Sequence, residues 1–257
     1  MELPGSSLDS IVRALREAGC VFAEDEAALL VSTARTPADL PSMVERRAAG
    51  LPLEQVLGWA EFCGLRVAVD LGVFAPRRRT ELLVREAAAV AGSRAVVVDM
   101  CCGSGAVGAA LLALLDQAEL HAVDIDPTAA ACARRNLPGA HVYEGDLLEP
   151  LPATLQGRVS ILVANAPYVP TEDMVLLPPE ARLHEPRVAL DGGADGLEVQ
   201  RRLIASAPAW LAPGGHLLVE TGERQALQTV EAFTRSGLIS RVASSDELNA
   251  TVVIGAK

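Results

Sequence analysis

The N-terminal part of the chain shows the spacing of apolar residues that is typical of helices. In LDSIVRALREA, apolar residues recur at i, i+3, i+4 and i+7 from Leu8 to Leu15, which places them on one helical face. AEDEAALLVSTA predicts a second helix, and PADLPSMVERRAAG predicts a third that is interrupted near Pro41 and ends at Gly50. We therefore expect residues 1–51 to form a small helical domain.

The pattern changes to short alternating segments between residues 52 and 76. Two of these segments, within EFCGLRVAVDLGVFAP, are separated by Gly64 and followed by Gly72. Alternation of apolar and polar residues around glycines is typical of strands joined by tight turns. We expect a β-hairpin that links the helical domain to residues 77–257.

From residue 77 onward, apolar runs alternate with helical patterns. The runs predict strands in RAVVVD, LHAVD, AHVYEGD, SILVAN, GHLLVE and ATVVIGA. The segments between them predict helices in AVGAALLALL, PTAAACARRN, GLEVQRRLIASAPAWL and RQALQTVEAFTRSG. Continuous apolar strands that alternate with helices are typical of a parallel sheet covered by helices on both faces. We therefore predict an α/β fold for this domain.

Polar residues stand at the carboxyl ends of most predicted strands. These residues are Asp99, Asp124, Asp146, Asn165 and Glu220. Doubly wound sheets bind their ligands beyond this edge. We expect the functional site there.

Composition and charge limit the classes of partner. The 257 residues include 33 acidic and 22 basic ones, and the formal net charge of −11 disfavours binding to nucleic acid or to an anionic membrane. The N-terminus lacks the pattern of a signal peptide, and no apolar run reaches the ~20 residues that span a bilayer. Five cysteines without C-x-x-C spacing predict no metal site and favour a reducing compartment. We expect a cytoplasmic protein without a membrane partner.

VVVDMCCGSGAVG joins a predicted strand to a predicted helix through several glycines. Gly103, Gly105 and Gly108 have the spacing G-x-G-x-x-G. Asp124 ends the next strand, 21 residues after Gly103. This pattern is typical of dinucleotide sites, in which phosphate lies at the helix N-terminus and the acid binds a ribose hydroxyl. The alternative is that the glycines serve only a tight turn.

The same loop is compatible with S-adenosylmethionine. Asp99 could hold the ammonium group of its amino-acid part, and Asp124 could hold the ribose hydroxyls. Asp146 would then meet the adenine amino group, with Leu147 against the ring. A diphosphate would be repelled by Asp99 at the entrance of the loop. We therefore favour S-adenosylmethionine, and a nicotinamide-dependent oxidoreductase is the alternative.

The strand in ILVANAPYVP ends in the tetrapeptide Asn-Ala-Pro-Tyr. The side-chain oxygen of Asn165 and the backbone carbonyl of Ala166 can each accept one N–H from a substrate –NH₂ group. The nitrogen lone pair would then point at a methyl donor, and positioning for in-line attack would be the main contribution. Pro167 restricts the loop, and Tyr168 could lie over a planar substrate group. The residues predict an N-methyltransferase, and an ordinary Asn–Pro turn is the alternative.

This motif resembles the Asn-Pro-Pro-Tyr of the HemK/PrmC-type protein-(glutamine-N5) methyltransferases. PLEQVLGWAEFCGLRVAVDLGVFAPRRRTELLV, HEPRVALDGGADGL and LLVETGERQ also resemble segments of that family, in the family's order, over residues 50–257. The resemblance implies a class I S-adenosylmethionine-dependent methyltransferase fold, Rossmann-like, with a mostly parallel seven-stranded sheet. It also implies a protein substrate, a release factor or a ribosomal protein, that presents a glutamine to Asn165–Tyr168.

The resemblance implies a set of residues around the cofactor. These are Cys101, Cys102, Gly103, Ser104, Gly105, Asp124, Leu147 and Asn165. Three features depart from the family pattern. Ala166 replaces the first proline but keeps the carbonyl, PRRRTE replaces P-R-P-E-T-E and adds Arg78 and Arg79, and the N-terminal helical segment looks shorter than the family's substrate-recognition domain.

Other proteins share parts of these patterns. N6-adenine methyltransferases use related motifs to present an exocyclic amine, but the charge of −11 and the lack of a basic segment with interleaved aromatics argue against them. A methyltransferase for a small metabolite and a catalytically silent cofactor-binding protein are further alternatives.

Two segments after the motif have simpler interpretations. DGGADG lacks the spacing of a calcium loop and predicts a turn. Glu185 and Arg187 are expected to order the loop that follows the motif.

Overall fold

Helices form the N-terminal region, as the apolar pattern predicts. In the computed structural model, which describes residues 8–36 and 38–257, they are α1 (Leu8–Glu17), α2 (Ala23–Thr33), α3 (Asp39–Ala48) and a short α4 (Leu53–Leu57). Their apolar faces pack into one buried cluster that includes Ile11, Leu15, Ala27 and Leu30. The expectation about a signal peptide concerns mainly residues 1–7, which lie outside the described ranges.

One expectation about this region is wrong, because Pro41 does not interrupt the third helix. α3 begins at Asp39, so Pro41 lies in its first turn. Backbone N–H groups of a first turn have no partner within the helix, and proline is tolerated there because it lacks only such a group. The expected end near Gly50 is confirmed, with Gly50 at φ +93° just beyond the helix.

The predicted β-hairpin is also confirmed. Strands β1 (Trp59–Phe62) and β2 (Leu65–Ala68) pair antiparallel. The two residues between them, Cys63 and Gly64, have φ values of 49° and 74°, as in the two-residue turns that match the twist of a hairpin. Asn136 of the C-terminal domain accepts a hydrogen bond from the Ala68 N–H (2.9 Å) and donates one to the Ala68 carbonyl (2.8 Å). The hairpin is therefore fastened to the C-terminal domain.

The C-terminal domain is built on one seven-stranded sheet. Its strands are β3 (Val96–Met100), β4 (Glu119–Asp124), β5 (His141–Glu144), β6 (Val159–Ala164), β7 (Leu211–Thr221), β8 (Ile239–Ser245) and β9 (Ala250–Ala256). Their order is β5-β4-β3-β6-β7-β9-β8, and β9 alone runs antiparallel to its neighbours β7 and β8. The helices are α5 (Glu81–Val90), α6 (Ala106–Leu114), α7 (Pro127–Asn136), α8 (Pro179–His184), α9 (Glu198–Ser206) and α10 (Ala226–Arg235).

The residue pattern did not predict β8, α5 or α8, whereas the family resemblance implied all seven strands. β8 lies at the edge of the sheet, and its sequence ISRVASS alternates between exposed and half-buried positions. An edge strand with so many polar residues lacks the continuous apolar run by which the inner strands were recognised.

The strand order reverses at the boundary between β3 and β6. From β3 the chain adds β4 and β5 on one side, and it then continues with β6 on the other side of β3. Strands β4 and β5 lie on one side of β3, and β6 and β7 lie on the other. Alternate residues of these strands enter two separate cores, one on each face, as with Val97 and Val98. Ligands of doubly wound sheets bind at such a reversal, beyond the carboxyl ends of the strands. Within the described ranges, no helix is long and apolar enough to cross a membrane.

Candidate active site

The glycine loop forms a tight connection between β3 and α6. Cys101, Gly103 and Gly105 have φ values of 56°, 55° and 80°, so the backbone turns sharply before α6 begins. A Cβ atom on Gly105 would lie 2.9 Å from Leu137 Cδ1. The Gly103 N–H donates to Asp124 Oδ2 at 2.8 Å, which ties the loop to the end of β4. The glycines therefore allow a tight turn, and this turn also places the loop next to the Asp124 carboxylate.

A cleft lies over this loop at the carboxyl edge of the sheet. Of the expected cofactor residues, it is lined by Cys101, Gly103, Asp124, Asp146, Leu147 and Asn165. Its apolar lining includes Met100, Val123 and Ile125. The expected residues that do not line it are Asp99, Cys102, Ser104 and Gly105. Cys102 and Ser104 belong to the loop but are buried.

Asp99 lies behind the glycine loop. Its side chain is part of the buried interior, with 2% of the residue exposed, and its Oδ2 accepts the Gly108 N–H at 2.8 Å. Burial raises the pKa of Asp99 to about 7, against the opposing effect of the Gly108 hydrogen bond and with a further contribution from the charge of Asp124. In this position the carboxyl group stabilises the first turn of α6.

The residues of the cleft fit S-adenosylmethionine better than a dinucleotide. Asp124 is half-buried at the end of β4, where its oxygens accept the N–H groups of Gly103 and Asp126 (2.8 and 2.9 Å). The cation that lines the cleft within the described ranges is Arg202, and it pairs with Asp146 at 2.6 Å. A diphosphate would therefore face carboxylates without a free basic partner, whereas a cationic sulfonium with an apolar pocket for its base is matched.

The Asn-Ala-Pro-Tyr motif lines a second cavity next to the cleft. Asn165, Ala166, Pro167 and Tyr168 all contribute to its wall. Asn165 and Pro167 also line the cofactor cleft, together with Phe74 and Ala189. The boundary between the two cavities is therefore the place where a methyl donor and a methyl acceptor would meet.

The backbone of the motif is held by the segment that contains DGGADG. We call residues 191–196 the glycine turn. The Val169 N–H donates to the Leu190 carbonyl at 3.0 Å, and the Gly192 N–H donates to the Val169 carbonyl at 2.9 Å. A Cβ atom on Gly196 would lie 2.3 Å from the Tyr168 carbonyl oxygen, so only glycine allows this close approach. The predicted turn is confirmed, and the described residues contain no group of side chains that could hold a metal ion.

Thr80, Arg79 and Glu220 surround Asn165 and Tyr168, and of these three only Thr80 is not among the residues singled out by the sequence pattern. Asn165 Nδ2 donates to Thr80 Oγ1 at 3.2 Å. The Arg79 guanidinium lies 5.6 Å from the centroid of the Tyr168 ring, and its Nε lies 3.3 Å from Glu220 Oε1. Burial raises the pKa of Tyr168 to about 12, so its hydroxyl keeps its proton at neutral pH. The residue pattern does not identify Thr80, because a lone threonine in PRRRTE has no spacing or motif that indicates a function.

The two arginines that depart from the family pattern have different surroundings. The Arg79 side chain is 42% exposed and reaches the buried Glu220, whereas the Arg78 side chain is 74% exposed and pairs with Glu247 on the surface. Burial raises the pKa of Glu220, against the opposing effects of the Thr80 hydroxyl and Arg79. Arg79 therefore belongs to the surroundings of the motif, and Arg78 does not.

Glu185 orders the segment after the motif, as expected. Its buried carboxylate pairs with Arg77 at 2.5 Å, and Arg77 in turn stacks over Phe74 at 4.8 Å. Burial raises the pKa of Glu185, and Arg77 opposes that shift. Arg187 pairs with Asp191 at 2.8 Å, at the start of the glycine turn.

Cysteine chemistry plays no part in this arrangement. The five cysteines are free, and burial raises the pKa of the Cys101 and Cys102 thiols, with the nearby aspartates adding to the shift. A thiol that keeps its proton is a poor nucleophile.

Comparisons with known proteins identify the family of the chain. Residues 64–176 match the family model described as Methyltransferase small domain. The chain is 42% identical to a release factor glutamine methyltransferase of Geobacter sulfurreducens over 219 residues, which cover 84% of this chain and 76% of the relative. A relative of the same name from Mycolicibacterium smegmatis is 40% identical over 210 residues, with coverage of 80% and 74%.

A solved structure of a more distant protein is similar in fold only. The ribosomal protein L11 methylase of Lactobacillus delbrueckii subsp. bulgaricus superposes with a TM-score of 0.52 at 16% identity, over 74% of this chain and 83% of that chain. The class I methyltransferase fold and the S-adenosylmethionine cofactor are thus both established for this chain. On sequence identity and coverage, the chain belongs to the release factor glutamine methyltransferase family, the S-adenosylmethionine-dependent protein-(glutamine-N5) methyltransferases.

Proposed function

We propose that this protein methylates the side-chain amide nitrogen of a glutamine in a release factor. The observation that carries the proposal is the position of Asn165, the one polar residue of the described chain that lines both the cofactor cleft and the second cavity. A glutamine amide bound in the second cavity would meet the methyl donor there. The names of the relatives supply the protein class of the substrate.

Two oxygen acceptors in the second cavity match the two N–H groups of a primary amide. Asn165 uses its Nδ2 toward Thr80, which leaves its oxygen for the substrate. Among the described residues, none donates a hydrogen bond to the Ala166 carbonyl. An amide nitrogen is a weak nucleophile because its lone pair is delocalised, so two acceptors that fix its N–H groups provide most of the orientation needed for attack. Tyr168 would cover the planar amide.

Several residues of this chain would hold the cofactor. Bound S-adenosylmethionine supplies an electrophilic methyl group on a sulfonium centre. Asp124 would accept hydrogen bonds from its ribose hydroxyls, Leu147 would pack on its base, and Asp146 would accept from the base amino group. Cys101 and Gly103 would bring backbone close to the amino-acid part. These assignments are supported by the lining of the cleft.

The substitution of Ala166 for the family proline is compatible with activity. The Ala166 side chain is fully buried in the core, and hydrogen bonds on both sides of Val169 hold the backbone that follows. Packing and these hydrogen bonds replace part of the rigidity that a proline ring would supply.

The N-terminal helical domain, residues 1–51, would recognise the protein substrate. Arg47 of α3 pairs with Glu26 of α2 at 2.6 Å and with Glu180 of α8 at 3.0 Å, and Glu180 lines the second cavity. The helical domain is thereby joined to the wall of the acceptor site. Val21 and Phe22 are 83% and 68% exposed, as in surfaces that bind another protein. Recognition of a release factor would take place in the cytoplasm, where translation occurs.

Methyl transfer to defined acceptors tests the proposed reaction. The protein is incubated with labelled S-adenosylmethionine and a purified bacterial release factor, and mass spectrometry locates the modified residue. We expect the label on one glutamine side chain and none on a release factor in which that glutamine is replaced by alanine. Label that appears instead on adenine in DNA or on free small amides, with none on the release factor, would contradict the proposal.

The Phe22→Ser variant tests the role of the helical domain. We expect it to raise the KM for the intact release factor while the turnover of a short glutamine peptide stays unchanged, because the peptide does not reach the helical domain. Ile239→Ser is the matched control. Ile239 is 83% exposed and lies on β8, which forms one edge of the sheet, whereas β5 forms the other. Equal KM values for Phe22→Ser and Ile239→Ser would show that this surface is not used.

A further inference from the structure

The amide of Asn165 can be placed in two orientations that occupy almost the same volume. One places the side-chain oxygen toward the second cavity, and the other places the –NH₂ group there. Only the first can accept an N–H from a substrate amide. In the second orientation the Asn165 –NH₂ group would face the N–H groups of the substrate amide, and neither could accept a hydrogen bond from the other. Catalysis therefore requires neighbours that distinguish the two orientations.

Thr80 is the neighbour that contacts the Asn165 amide. It ends the short helical turn Arg78–Thr80, only 3% of the residue is exposed, and its Oγ1 lies 3.2 Å from Asn165 Nδ2. A hydroxyl can both donate and accept, so this contact by itself does not determine which amide atom faces Thr80. A further group has to set the direction of the threonine proton.

Glu220, on the adjacent strand β7, is the group that orients the Thr80 hydroxyl proton. Ala164, the last residue of β6, pairs with Val219 of β7, so Asn165 follows directly after β6 and Glu220 is the next residue on β7. Glu220 is 1% exposed, and neither of its carboxylate oxygens accepts a hydrogen bond of ordinary geometry from the described residues. Burial raises the pKa of Glu220, and the neighbouring hydroxyls of Thr80 and Tyr168 oppose that shift, the Thr80 hydroxyl more strongly. The buried carboxylate is an acceptor in need of a donor.

Arg79 pairs with this carboxyl group, and its Nε lies 3.3 Å from Glu220 Oε1. Both Glu220 oxygens lack a donor among the described residues, and Asn165 Nδ2 can only donate, so the Thr80 proton points at Glu220. The lone pairs of Thr80 Oγ1 are then left for Asn165 Nδ2, and the oxygen of Asn165 is turned toward the second cavity.

We infer that Thr80 is a positioning residue for methyl transfer, because its hydroxyl, directed by Glu220, holds the Asn165 amide with the oxygen toward the acceptor nitrogen. This inference rests on the proposed function and adds to it the group that sets the polarity of the acceptor site. Thr80 lines neither the cofactor cleft nor the second cavity, and it acts through Asn165.

Two substitutions of Thr80 test the inference. Thr80→Val keeps the shape and removes the hydroxyl, so we expect kcat for the release factor to fall roughly tenfold or more, since the Asn165 amide then lacks the contact that selects its orientation. The dissociation constant for S-adenosylhomocysteine, measured by calorimetry, should stay within about twofold of the wild-type value, because Thr80 does not line the cofactor cleft. Thr80→Ser restores the hydroxyl and should recover most of kcat.

Ser160→Ala is the matched control. Ser160 lies in the same strand β6, is half-buried, and its hydroxyl accepts the Val96 N–H at 3.2 Å, far from the carboxyl edge. Its removal should leave kcat unchanged. In Glu220→Gln the new side chain has an N–H donor of its own, and we expect kcat to fall while cofactor binding persists.

Distinct outcomes separate this inference from the proposed function. An active wild type with equal kcat in Thr80→Val and Ser160→Ala would overturn the inference. So would a Thr80→Val variant that loses cofactor affinity and kcat together and is not rescued by serine, since that result indicates a structural role. A folded wild type that binds S-adenosylhomocysteine and methylates no release factor would overturn the proposed function instead.

Discussion

Replacing Gly192 by alanine tests whether the glycine turn positions the Asn-Ala-Pro-Tyr motif. A Cβ atom on residue 192 would lie 2.4 Å from the Gly196 carbonyl oxygen and 2.7 Å from the Pro167 carbonyl oxygen. Contacts of a Cβ below 3.0 Å are essentially never seen, so these oxygens must retreat by about 0.6 Å and about 0.3 Å. Both are backbone atoms, so no change of side-chain rotamer can relieve the contact. The motif and the turn must move apart.

The size of the effect follows from this displacement. Gly192 does not have a positive φ, so alanine brings no conformational strain of its own. Overpacking of this kind costs about 1–3 kcal/mol of stability. A misplacement of about 1 Å at a reacting centre can cost about 100-fold in rate, so a shift of a few tenths of an ångström should lower kcat by roughly tenfold.

Methylation kinetics with the release factor measure this loss, and calorimetry with S-adenosylhomocysteine and thermal melting show whether the variant is folded and binds its cofactor. Gly92→Ala is the matched control, because Gly92 also lacks a positive φ and a Cβ there would meet no atom within 4 Å. If kcat is the same in Gly192→Ala and Gly92→Ala, the glycine turn does not position the motif.

Three further substitutions address the site and the buried carboxyl group. Asn165→Ala should abolish turnover and leave the affinity for S-adenosylhomocysteine nearly unchanged; full activity would refute the role of the amide. Asp124→Ala should weaken cofactor binding by roughly tenfold or more in calorimetry, since a charge-assisted hydrogen-bond acceptor is lost, and an unchanged affinity would exclude Asp124 from the cofactor site. For Asp99 the folded-state pKa of about 7 lies above the ordinary 3.8, so the folded protein keeps this proton between pH 4 and 7 while the unfolded chain loses it. The free energy of unfolding of the wild type should therefore fall as pH rises through that window, by on the order of 4 kcal/mol from this group. Asp99→Asn should show a flatter profile in urea unfolding at pH 5 and pH 8, and identical slopes would contradict the assignment.

Most elements of the fold could be predicted from local patterns because buried strands and amphipathic helices have distinct periods. The inner strands were recognised as continuous apolar runs, since both of their faces are covered. The patterns failed where tertiary position overrides composition. Edge strand β8 is polar because one of its sides has no partner strand. Pro41 is compatible with α3 because of its place in the first turn.

The site was predicted in outline from residues at strand ends. Asp124, Leu147 and Asn165 do meet in one cleft, because parallel strands end at the same edge of a sheet. Asp99 also ends a strand, yet its side chain points behind the loop to Gly108. Which face a residue occupies at a strand end depends on the local turn, and the period of the strand does not determine it.

The amino-acid sequence by itself determined the type of chemistry: the glycine loop, the acids at strand ends and the Asn-Ala-Pro-Tyr motif are local features, readable in chain order. Only the tertiary structure decided how the motif is held. Thr80 and Glu220 lie 85 and 55 residues from Asn165 along the chain, and the glycine turn lies about 25 residues after it. These contacts depend on the order and register of β6 and β7 and on the fold of the segment after the motif, and no local pattern of residues encodes such long-range packing.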